Sequence, residues 1–447
     1  METLVLNSIK QNNRPNTSYT PATQIIGLFG FGTVGSGLYH VLECSPTTKA
    51  HIKKICIKNA FKERSVKSKL FTTDPSVILD DPEINLIVEL IDNADDAYRI
   101  VRSALLNGKS VVSGNKTMLA HHLNELIEIQ EKTGAALLYD ASACGSIPVI
   151  RNLEEYYDND LLLSIRGILN GSTNFILSRI FQHGENYHLA LRKAQEMGFA
   201  ESDPAFDVMG YDALFKLIIL AVHGFGTYIS PDDAFNYGIH NLSPHDIRFA
   251  KEKGVKIKLV ATLTKLGNNC LTLFVMPTFV PADDYIYNVE DEYNGVVIEG
   301  AFYEKQFMFG KGAGGYPTGS AVLSDITARF HDYRYEYKKR KFFTPLTYTK
   351  DVTLELFIRY HDIVDLNIFG IHEIVEKYSG RDHRWIIAKV NLSTLLRIRE
   401  LIPKLNLFIA FTGKMEYNDQ KGSDKTNTST DTKNDQNEYI SIASSVF

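Results

Sequence analysis

The stretch IIGLFGFGTVGSG, residues 25–37, joins a short apolar run to the start of an amphipathic segment. Gly30, Gly32 and Gly35 form the pattern G-x-G-x-x-G, directly after a predicted strand and at the start of a predicted helix. Glycines at these positions permit a tight turn, close approach of the backbone to a pyrophosphate, and close packing of the helix. The helix N-terminus stabilises the negative charge of phosphates. The stretch therefore predicts a dinucleotide-binding unit rather than a glycine-rich turn without a ligand.

Contacts to the dinucleotide are predicted in two places. The first is the glycine loop, with the predicted cofactor-binding residues Gly30, Phe31, Gly32, Thr33, Val34 and Gly35. The second is the end of the next strand, CIKNAFKER, where Lys58 and Arg64 are basic and the first acidic residue is Glu63. A carboxylate there would bind the ribose hydroxyls of NAD, whereas basic residues suit the 2′-phosphate of NADP. The sequence favours NADP; NAD, or an exposed basic turn without a ligand, are the alternatives.

Residues 24–150 alternate short apolar runs with longer amphipathic ones, which predicts a parallel sheet flanked by helices. We therefore expect an α/β fold that begins with a Rossmann-type NAD(P)-binding domain. Lys116 follows a predicted strand end and precedes a helix, which places it at the carboxyl edge of the sheet, where such folds bind ligands. Because a lysine is disfavoured at a helix N-terminus, we expect Lys116 to serve the site.

Residues 151–309 predict an α+β domain that binds substrate and forms a dimer interface. STNFILSRIFQ predicts a helix capped by Ser172 or Thr173. Two stretches rich in β-formers predict hairpins, with turns at residues 267–269 and near Gly300. We expect the resulting large sheet to provide the surface of a homodimer.

The ends of the chain differ in composition from the two domains. Residues 1–23 predict a disordered arm and residues 333–343 a linker rich in aromatic and basic side chains. Residues 345–414 predict a small α+β module ordered strand, helix, strand, helix, strand, with the first helix over residues 369–379. Residues 415–447 predict a low-complexity tail with a possible terminal strand.

Composition excludes several classes of protein. Lys plus Arg number 48 and Asp plus Glu 53, a net charge of −5, and no basic run is long enough to predict a nucleic-acid surface. No apolar run reaches the length of about 18 residues that a membrane span needs. The four cysteines lack C-x-x-C spacing, which argues against a disulfide framework or a zinc site and favours a reduced, cytoplasmic setting. Small molecules and other protein chains are the expected partners.

The stretch GYDALFKLIILA, residues 210–221, predicts a helix that is apolar on nearly every side, with Lys216 in its middle. Asp212 lies four residues before Lys216, the spacing of an ion pair on one helix face. An exposed pair of this kind is the alternative, but the apolar residues from Ala213 to Ala221 predict that the pair faces a cleft. A desolvated lysine held by a carboxylate is suited to proton transfer.

Several motifs in a fixed order resemble the homoserine dehydrogenase family over roughly residues 24–331. They are GFGTVGSG, SGNKTMLA, YDASACGSIPVI, GILNGSTNFIL, AQEMGFAESDPAFDVMGYDALFKLIILA and GKGAGGYPTGSAVLSDI. The resemblance implies NAD(P)-dependent interconversion of L-homoserine and L-aspartate 4-semialdehyde, in the pathway to threonine, methionine and isoleucine, by a homodimer. It also implies that residues 310–332 return to complete the Rossmann domain.

The resemblance implies roles for individual residues as well. The implied catalytic residues are Lys216, which transfers the proton, Asp212 and Lys116. The implied substrate ligands are Glu201, Asp207, Gly171 and Thr173. Further cofactor contacts are implied at Ser113, Lys116 and Gly312. A monovalent cation such as sodium is implied at the main-chain carbonyls of Asp140, Ala143, Gly145 and Ile147.

The chain departs from the family pattern at three places. Asp92–Asn93 replaces a usual glycine pair, Gly114 replaces an alanine, and Phe206 stands where an acid is common. The C-terminal module lacks the Pro-Gly turn of an amino-acid-binding domain, so the sequence does not predict threonine binding. Two alternatives stay open at this point: a dehydrogenase of another amino-acid semialdehyde, and an NADP-binding regulator without catalysis.

Overall fold

The computed structural model describes residues 23–45, 48–64, 66 and 68–417. Within these residues the chain forms two sheets with helices packed against them, which confirms the predicted α/β class. The predicted N-terminal arm, apart from Thr23, and the tail beyond Tyr417, with its possible terminal strand, lie outside the described residues. No helix in the described ranges is both long and apolar enough to cross a membrane.

The first sheet has six strands in the order β3-β2-β1-β4-β5-β6, each paired in parallel with its neighbours. This order is that of a dinucleotide-binding Rossmann sheet. Its elements are β1 (Gln24–Phe29), α1 (Thr33–Glu43), β2 (Ala50–Cys56), β3 (Phe71–Thr72), α2 (Ser76–Leu79), β4 (Leu86–Glu89), α3 (Ala94–Leu106), β5 (Ser110–Ser113), α4 (Lys116–Thr133) and β6 (Leu137–Leu138).

The helices that follow carry the predicted catalytic stretch. They and the strand between them are α5 (Ala141–Cys144), α6 (Val149–Glu155), β7 (Leu162–Ile168), α7 (Gly171–His183), α8 (Tyr187–Glu196), α9 (Ala205–Val208) and α10 (Tyr211–Phe225). The predicted cap of α7 at Ser172 or Thr173 is wrong: Asn170 caps this helix, and its side chain accepts a hydrogen bond from the Thr173 N–H at 2.8 Å. Asn is as good an N-cap as Ser, and the helix begins two residues earlier than predicted.

The second sheet has eleven strands in the described region, most of them in the path β12-β11-β7-β9-β10-β17-β14-β16-β15. Its remaining elements, in chain order, are β8 (Phe235–Asn236), α11 (Pro244–Glu252), β9 (Lys256–Lys265), β10 (Cys270–Val280), β11 (Tyr293–Gly300), β12 (Glu304–Lys311), α12 (Gly315–Phe330), α13 (Lys338–Phe342), β13 (Thr347–Tyr348), β14 (Val352–Tyr360), β15 (Glu373–Ser379), β16 (Arg384–Asn391), α14 (Leu392–Ile398) and β17 (Leu407–Tyr417). The hairpins β9–β10 and β11–β12 are antiparallel, as predicted. Asn268 and Asn269 adopt the left-handed conformation in the first of these turns.

The C-terminal strands extend the second sheet. β17 pairs in parallel with β10 at Phe411 and Thr278, so the two regions share one hydrogen-bonded layer. The predicted helix over residues 369–379 is wrong, because Glu373–Ser379 is the edge strand β15, paired antiparallel with β16. Cross-strand partners such as Tyr378 and Trp385, whose rings stack 5.8 Å apart, favour the strand over a short helix.

The predicted linker contributes buried tyrosines to the core. Tyr335 and Tyr337 are 0% and 1% exposed. The hydroxyl of Tyr337 lies 3.1 Å from that of Tyr139, which in turn lies 2.8 Å from Nε2 of His223 on α10. Glu154 completes the chain of contacts at 2.6 Å from His223 Nδ1. The segment therefore ties α6 and α10 to the Rossmann domain.

Helix α12 returns to the first domain and packs on α1. A methyl group added at Gly37 would lie 2.1 Å from the main-chain oxygen of Gly315, and one added at Gly319 would lie 2.7 Å from the main-chain nitrogen of Leu38. These glycines let the two helix backbones approach closely. The contact places α12 against the first helix of the Rossmann sheet.

The substitution Gly37→Ala is expected to destabilise the protein, because the added methyl group meets backbone that cannot rotate away. We expect the free energy of unfolding to fall by about 1 to 3 kcal/mol, the range for overpacking. Glu43→Ala, at the exposed end of the same helix, is the control and should leave it nearly unchanged. Thermal and urea unfolding measure the free energy of unfolding of each variant. A Gly37→Ala variant as stable as the parent protein would refute the close contact between α1 and α12.

Candidate active site

The glycine loop leaves space for a ligand at the carboxyl end of β1. Gly30 has a φ of +93°, which allows the tight turn after the strand. A methyl group on Gly35 would lie 2.3 Å from the main-chain oxygen of Gly30, so the loop and helix pack closely there. A methyl group on Gly32 would meet nothing within 4 Å. No side chain caps α1 at Gly32. The first N–H groups of α1, from Thr33 onward, can therefore bind an anion.

The predicted cofactor contacts beyond β2 lie among aromatic and basic groups. Phe31 packs edge-on against Tyr39 and Phe71, at ring distances of 5.9 and 5.4 Å. The guanidinium of Arg64 lies over the Phe71 ring at 5.3 Å. Lys58 is exposed just beyond β2. The loop that follows β2 thus places the positive charge of Arg64 near Phe31 of the glycine loop.

A buried carboxyl organises the ends of β4 and β5. Glu89 accepts a hydrogen bond from the hydroxyl of Ser113 at 2.6 Å and from the N–H of Ile91 at 2.8 Å. Complete burial raises the pKa of Glu89 to about 7. Ser113 Oγ also accepts from the N–H of Asn115, whose own side chain caps α4 beneath Lys116. The predicted cofactor contact Ser113 is itself buried, so its hydroxyl supports the strand ends.

The three predicted catalytic residues lie together. Lys216 Nζ donates to the main-chain oxygen of Leu169 at 2.7 Å and to Asp212 Oδ2 at 2.8 Å. Asp212 Oδ1 lies 2.8 Å from Nζ of Lys116, at the start of α4. Lys216 is 7% exposed and Asp212 2%. One carboxylate therefore holds two ammonium groups, supplied by two domains.

Electrostatics keep this cluster charged. Burial opposes ionisation of Asp212, but the charges of Lys116 and Lys216 outweigh it and hold the pKa of the carboxyl below its usual range. The charge of Asp212 in turn raises the pKa of Lys116. Asp212 also lies in the first turn of α10, where the helix dipole favours a negative charge.

The predicted substrate carboxylates stand beside the cluster. Burial and the charge of Asp212 raise the pKa of Asp207. Glu201 is exposed and near enough for its charge to raise the pKa of Lys116. Phe206, the departure from the family pattern, places its ring 5.6 Å from Lys116 Nζ. An aromatic face attracts a cation at this distance, so Phe206 and Asp212 both contact Lys116.

Asn170 is a site residue that the sequence reasoning missed. Its side-chain N–H groups donate to Asp207 Oδ1 at 2.7 Å and to Asp212 Oδ2 at 2.8 Å. The N-cap position of an asparagine before a helix was the available signal, but it does not reveal contacts with residues of α9 and α10. Asn170 therefore joins α7 to the cluster of Asp212, Lys116 and Lys216.

The other two predicted substrate ligands are placed differently from the carboxylates. Gly171 starts α7, and a methyl group there would lie 2.6 Å from the main-chain oxygen of Glu292. Thr173 is 0% exposed, and its hydroxyl donates to Asn170 Oδ1 at 2.8 Å. Thr173 thus supports Asn170 and presents no exposed surface of its own.

The predicted cation loop, residues 140–147, is packed against Gly312, one of the predicted cofactor contacts. Gly145 has a φ of +57°, and a methyl group on it would lie 2.5 Å from the main-chain carbon of Gly312. Asp140 is 4% exposed, and its N–H donates to Asp325 at 2.9 Å. Ala143 and Ile147 are buried in the same loop. In the described residues no group of three or more His, Cys, Asp or Glu side chains could hold a metal ion.

Comparisons with known proteins agree with this geometry. A family model described as the NAD binding domain of homoserine dehydrogenase matches residues 30–140, and one described as homoserine dehydrogenase matches residues 148–327. The homoserine dehydrogenase of Bacillus subtilis is 32% identical over 350 residues, which are 75% of this chain and 81% of that protein. The chain belongs to the homoserine dehydrogenase family. It is therefore an oxidoreductase that binds a nicotinamide dinucleotide.

Other homoserine dehydrogenases support the same assignment. The enzyme of Synechocystis is 37% identical over 313 residues, 67% of this chain and 72% of that protein. The crystal structure of a homoserine dehydrogenase from Thiobacillus denitrificans matches with a TM-score of 0.74 and 29% identity, covering 88% of this chain and 97% of that one. A structure of the S. aureus homoserine dehydrogenase matches with a TM-score of 0.64, 29% identity, and 88% and 98% coverage. The similarity thus extends beyond the Rossmann domain into the C-terminal region.

Proposed function

We propose that Lys216 transfers the proton when this homoserine dehydrogenase interconverts L-homoserine and L-aspartate 4-semialdehyde. The observation that carries the proposal is the position of its ammonium, held by Asp212 and the Leu169 carbonyl beside Lys116. The bound nicotinamide supplies or accepts the hydride. During reduction Lys216 donates a proton to the oxygen of the forming alkoxide, and during oxidation it takes the proton from the hydroxyl.

The neighbouring groups bind and orient the substrate in this proposal. Asp207 and Glu201 bind the substrate ammonium, which suits two carboxylates at the rim of a cationic cluster. Lys116 neutralises negative charge near the reacting oxygen, while Asp212 keeps both lysines in place. Gly171 and Gly312 complete the proposed substrate and cofactor contacts through their main-chain groups, and the close packing of Gly171 on Glu292 and of Gly312 on Asn294 fixes where those groups lie. Thr173 acts through Asn170.

We propose NADP as the preferred cofactor. Lys58 and Arg64 supply positive charge beyond β2, and Arg64 is held over Phe71 next to the glycine-loop residue Phe31. Neutral ribose hydroxyls gain little from this charge, whereas a 2′-phosphate gains a charge-assisted hydrogen bond. NAD can bind the same loop with lower affinity.

Purified protein is expected to oxidise L-homoserine faster with NADP than with NAD at limiting cofactor, followed by the absorbance of the reduced nicotinamide. Lys58→Glu should raise the KM for NADP about tenfold or more, as expected for the loss of one charge-assisted contact, and change the KM for NAD little. Lys132→Glu, on the exposed face of α4, is the control. Equal effects on both cofactors would contradict the assignment of Lys58 to the 2′-phosphate. Absence of any homoserine oxidation, despite cofactor binding, would favour a silent regulator.

We also infer a homodimer and a cation loop. The hairpin of β11 and β12 and the segment before it expose aromatic rings, with Phe309 53% and Tyr285 52% exposed, and a second copy of the chain would cover such a surface.

A monovalent cation such as sodium would bind main-chain carbonyls of the loop from Asp140 to Ile147, next to Gly312. All four cysteines are free, which favours a cytoplasmic location.

A further inference from the structure

The side chain of Asn170 uses its whole hydrogen-bonding capacity inside the site. Its Oδ1 accepts from the N–H and from the hydroxyl of Thr173, both at 2.8 Å. Its two N–H groups go to different carboxylates, Asp207 at 2.7 Å and Asp212 at 2.8 Å. Asn170 is 4% exposed, so water does not compete for these contacts. One amide thus connects the first turn of α7 to both carboxylates.

The negative charges of Asp207 and Asp212 repel one another, and the amide of Asn170 offsets this repulsion by donating to both. Asp212 is neutralised by Lys116 and Lys216, whereas the charged form of Asp207 is stabilised mainly by the hydrogen bond from Asn170. Loss of the amide would let Asp207 move away from Asp212 or take up a proton. Either change alters where the substrate ammonium binds relative to Lys216.

We propose that Asn170 is a positioning residue, which fixes the separation between the carboxylate that binds the substrate ammonium and the carboxylate that holds the catalytic lysine. The inference rests on the proposed function, because it assigns those two tasks to Asp207 and Asp212. Asn170 itself touches neither substrate nor cofactor in this scheme. It sets the distance between the amino end of the substrate and the proton that Lys216 transfers.

The cap role and the positioning role of Asn170 are separable by substitution. Asn, Asp and Ser are nearly equal as N-caps, so Asn170→Ser and Asn170→Asp both preserve the start of α7. Neither variant has N–H groups to donate to Asp207 and Asp212, and Asn170→Asp adds a third carboxylate. Asn186 caps α8 in the same way, accepting from the Leu189 N–H at 2.9 Å, with no contact to the site. Asn186→Ser is therefore the matched control.

We expect Asn170→Ser to raise the KM for L-homoserine about 10- to 100-fold, the range for a hydrogen bond to a charged group, with the Kd for NADP unchanged. Asn170→Asp should be impaired more than Asn170→Ser, because repulsion adds to the lost contacts. The acid side of the pH profile of kcat/KM should move to higher pH in Asn170→Ser, since a carboxyl that loses a donor has a raised pKa. Asn186→Ser should match the parent protein in all three measurements.

The outcomes separate this inference from the proposed function when Lys216→Ala is assayed alongside. If Lys216→Ala retains activity, the proposed function fails. If Lys216→Ala is inactive while both Asn170 variants keep the parent KM and pH profile, Asn170 is a helix cap only and the inference is overturned. A melting temperature lowered in the Asn170 variants, with KM and pH profile unchanged, overturns it equally.

Discussion

Replacing Lys216 with alanine is expected to lower kcat for homoserine oxidation by about 10² to 10⁴, the usual contribution of a general acid or base. The ammonium is the donor closest to the reacting oxygen in the proposed mechanism, and Lys116 is held on the other oxygen of Asp212. The Kd for NADP should change little, because Lys216 lies on α10 and the glycine loop on α1. Steady-state kinetics and a cofactor titration measure the two quantities.

A second buried lysine offers the control for this substitution. Lys258 is 1% exposed and contacts a carbonyl and a carboxylate much as Lys216 does, at 2.6 Å to Val289 and 3.0 Å to Glu290. Lys258→Ala should lower the melting temperature but leave kcat of the folded protein near that of the parent. If both variants lose kcat equally, the loss in Lys216→Ala reports folding and not proton transfer.

Replacing Asp212 with asparagine is expected to impair both catalysis and stability. The change leaves two ammonium groups facing a neutral side chain in a buried site, and breaking a buried ion pair costs about 3 to 5 kcal/mol. Lys116 is about one-third exposed, so water screens part of this loss and the lower end is expected. We expect kcat to fall by about 10² or more, because Lys216 loses its orienting contact.

The pH dependence of stability provides a further check on Asp212. Its lowered pKa contributes stability above the unfolded value near 4 that is lost as pH falls through the folded value. The raised pKa of Lys116 contributes stability below the unfolded value near 10 that is lost as pH rises through the folded value. The cluster is therefore most stabilising between these limits. Urea unfolding across pH should show the difference between parent and Asp212→Asn shrinking at both extremes, and a constant difference would contradict the charged cluster.

The glycine turn after β1 and the ion pair of Asp212 with Lys216 could be predicted because their signals are local. The glycine spacing from Gly30 to Gly35 predicts a tight turn, because glycines leave space for a pyrophosphate beside the backbone. The i, i+4 spacing predicts that Asp212 and Lys216 pair on one helix face. The expectation that Lys116 serves the site followed from its position after a strand. Its contact with Asp212 depends on how the two domains pack, which no local pattern records.

Long-range contacts account for the features that sequence reasoning missed. Asn170 has a local role as a cap, but its two carboxylate partners lie on other elements. The segment with Tyr335 and Tyr337 is polar and aromatic enough to predict a linker, yet these two rings are buried against His223. β15 forms because β16 provides hydrogen-bonding partners, which outweighs the weak preferences of a seven-residue stretch.

The return of α12 to α1 has a consequence for how the protein is made. Gly37 faces Gly315, so α1 cannot make this contact until the ribosome has also synthesised α12 and everything between the two helices. Contacts between such distant parts of a chain form slowly, because a long loop must close first. During translation the nascent Rossmann unit therefore exposes one flank of α1 until α12, residues 315–330, has emerged, and chaperones have their greatest opportunity to bind there.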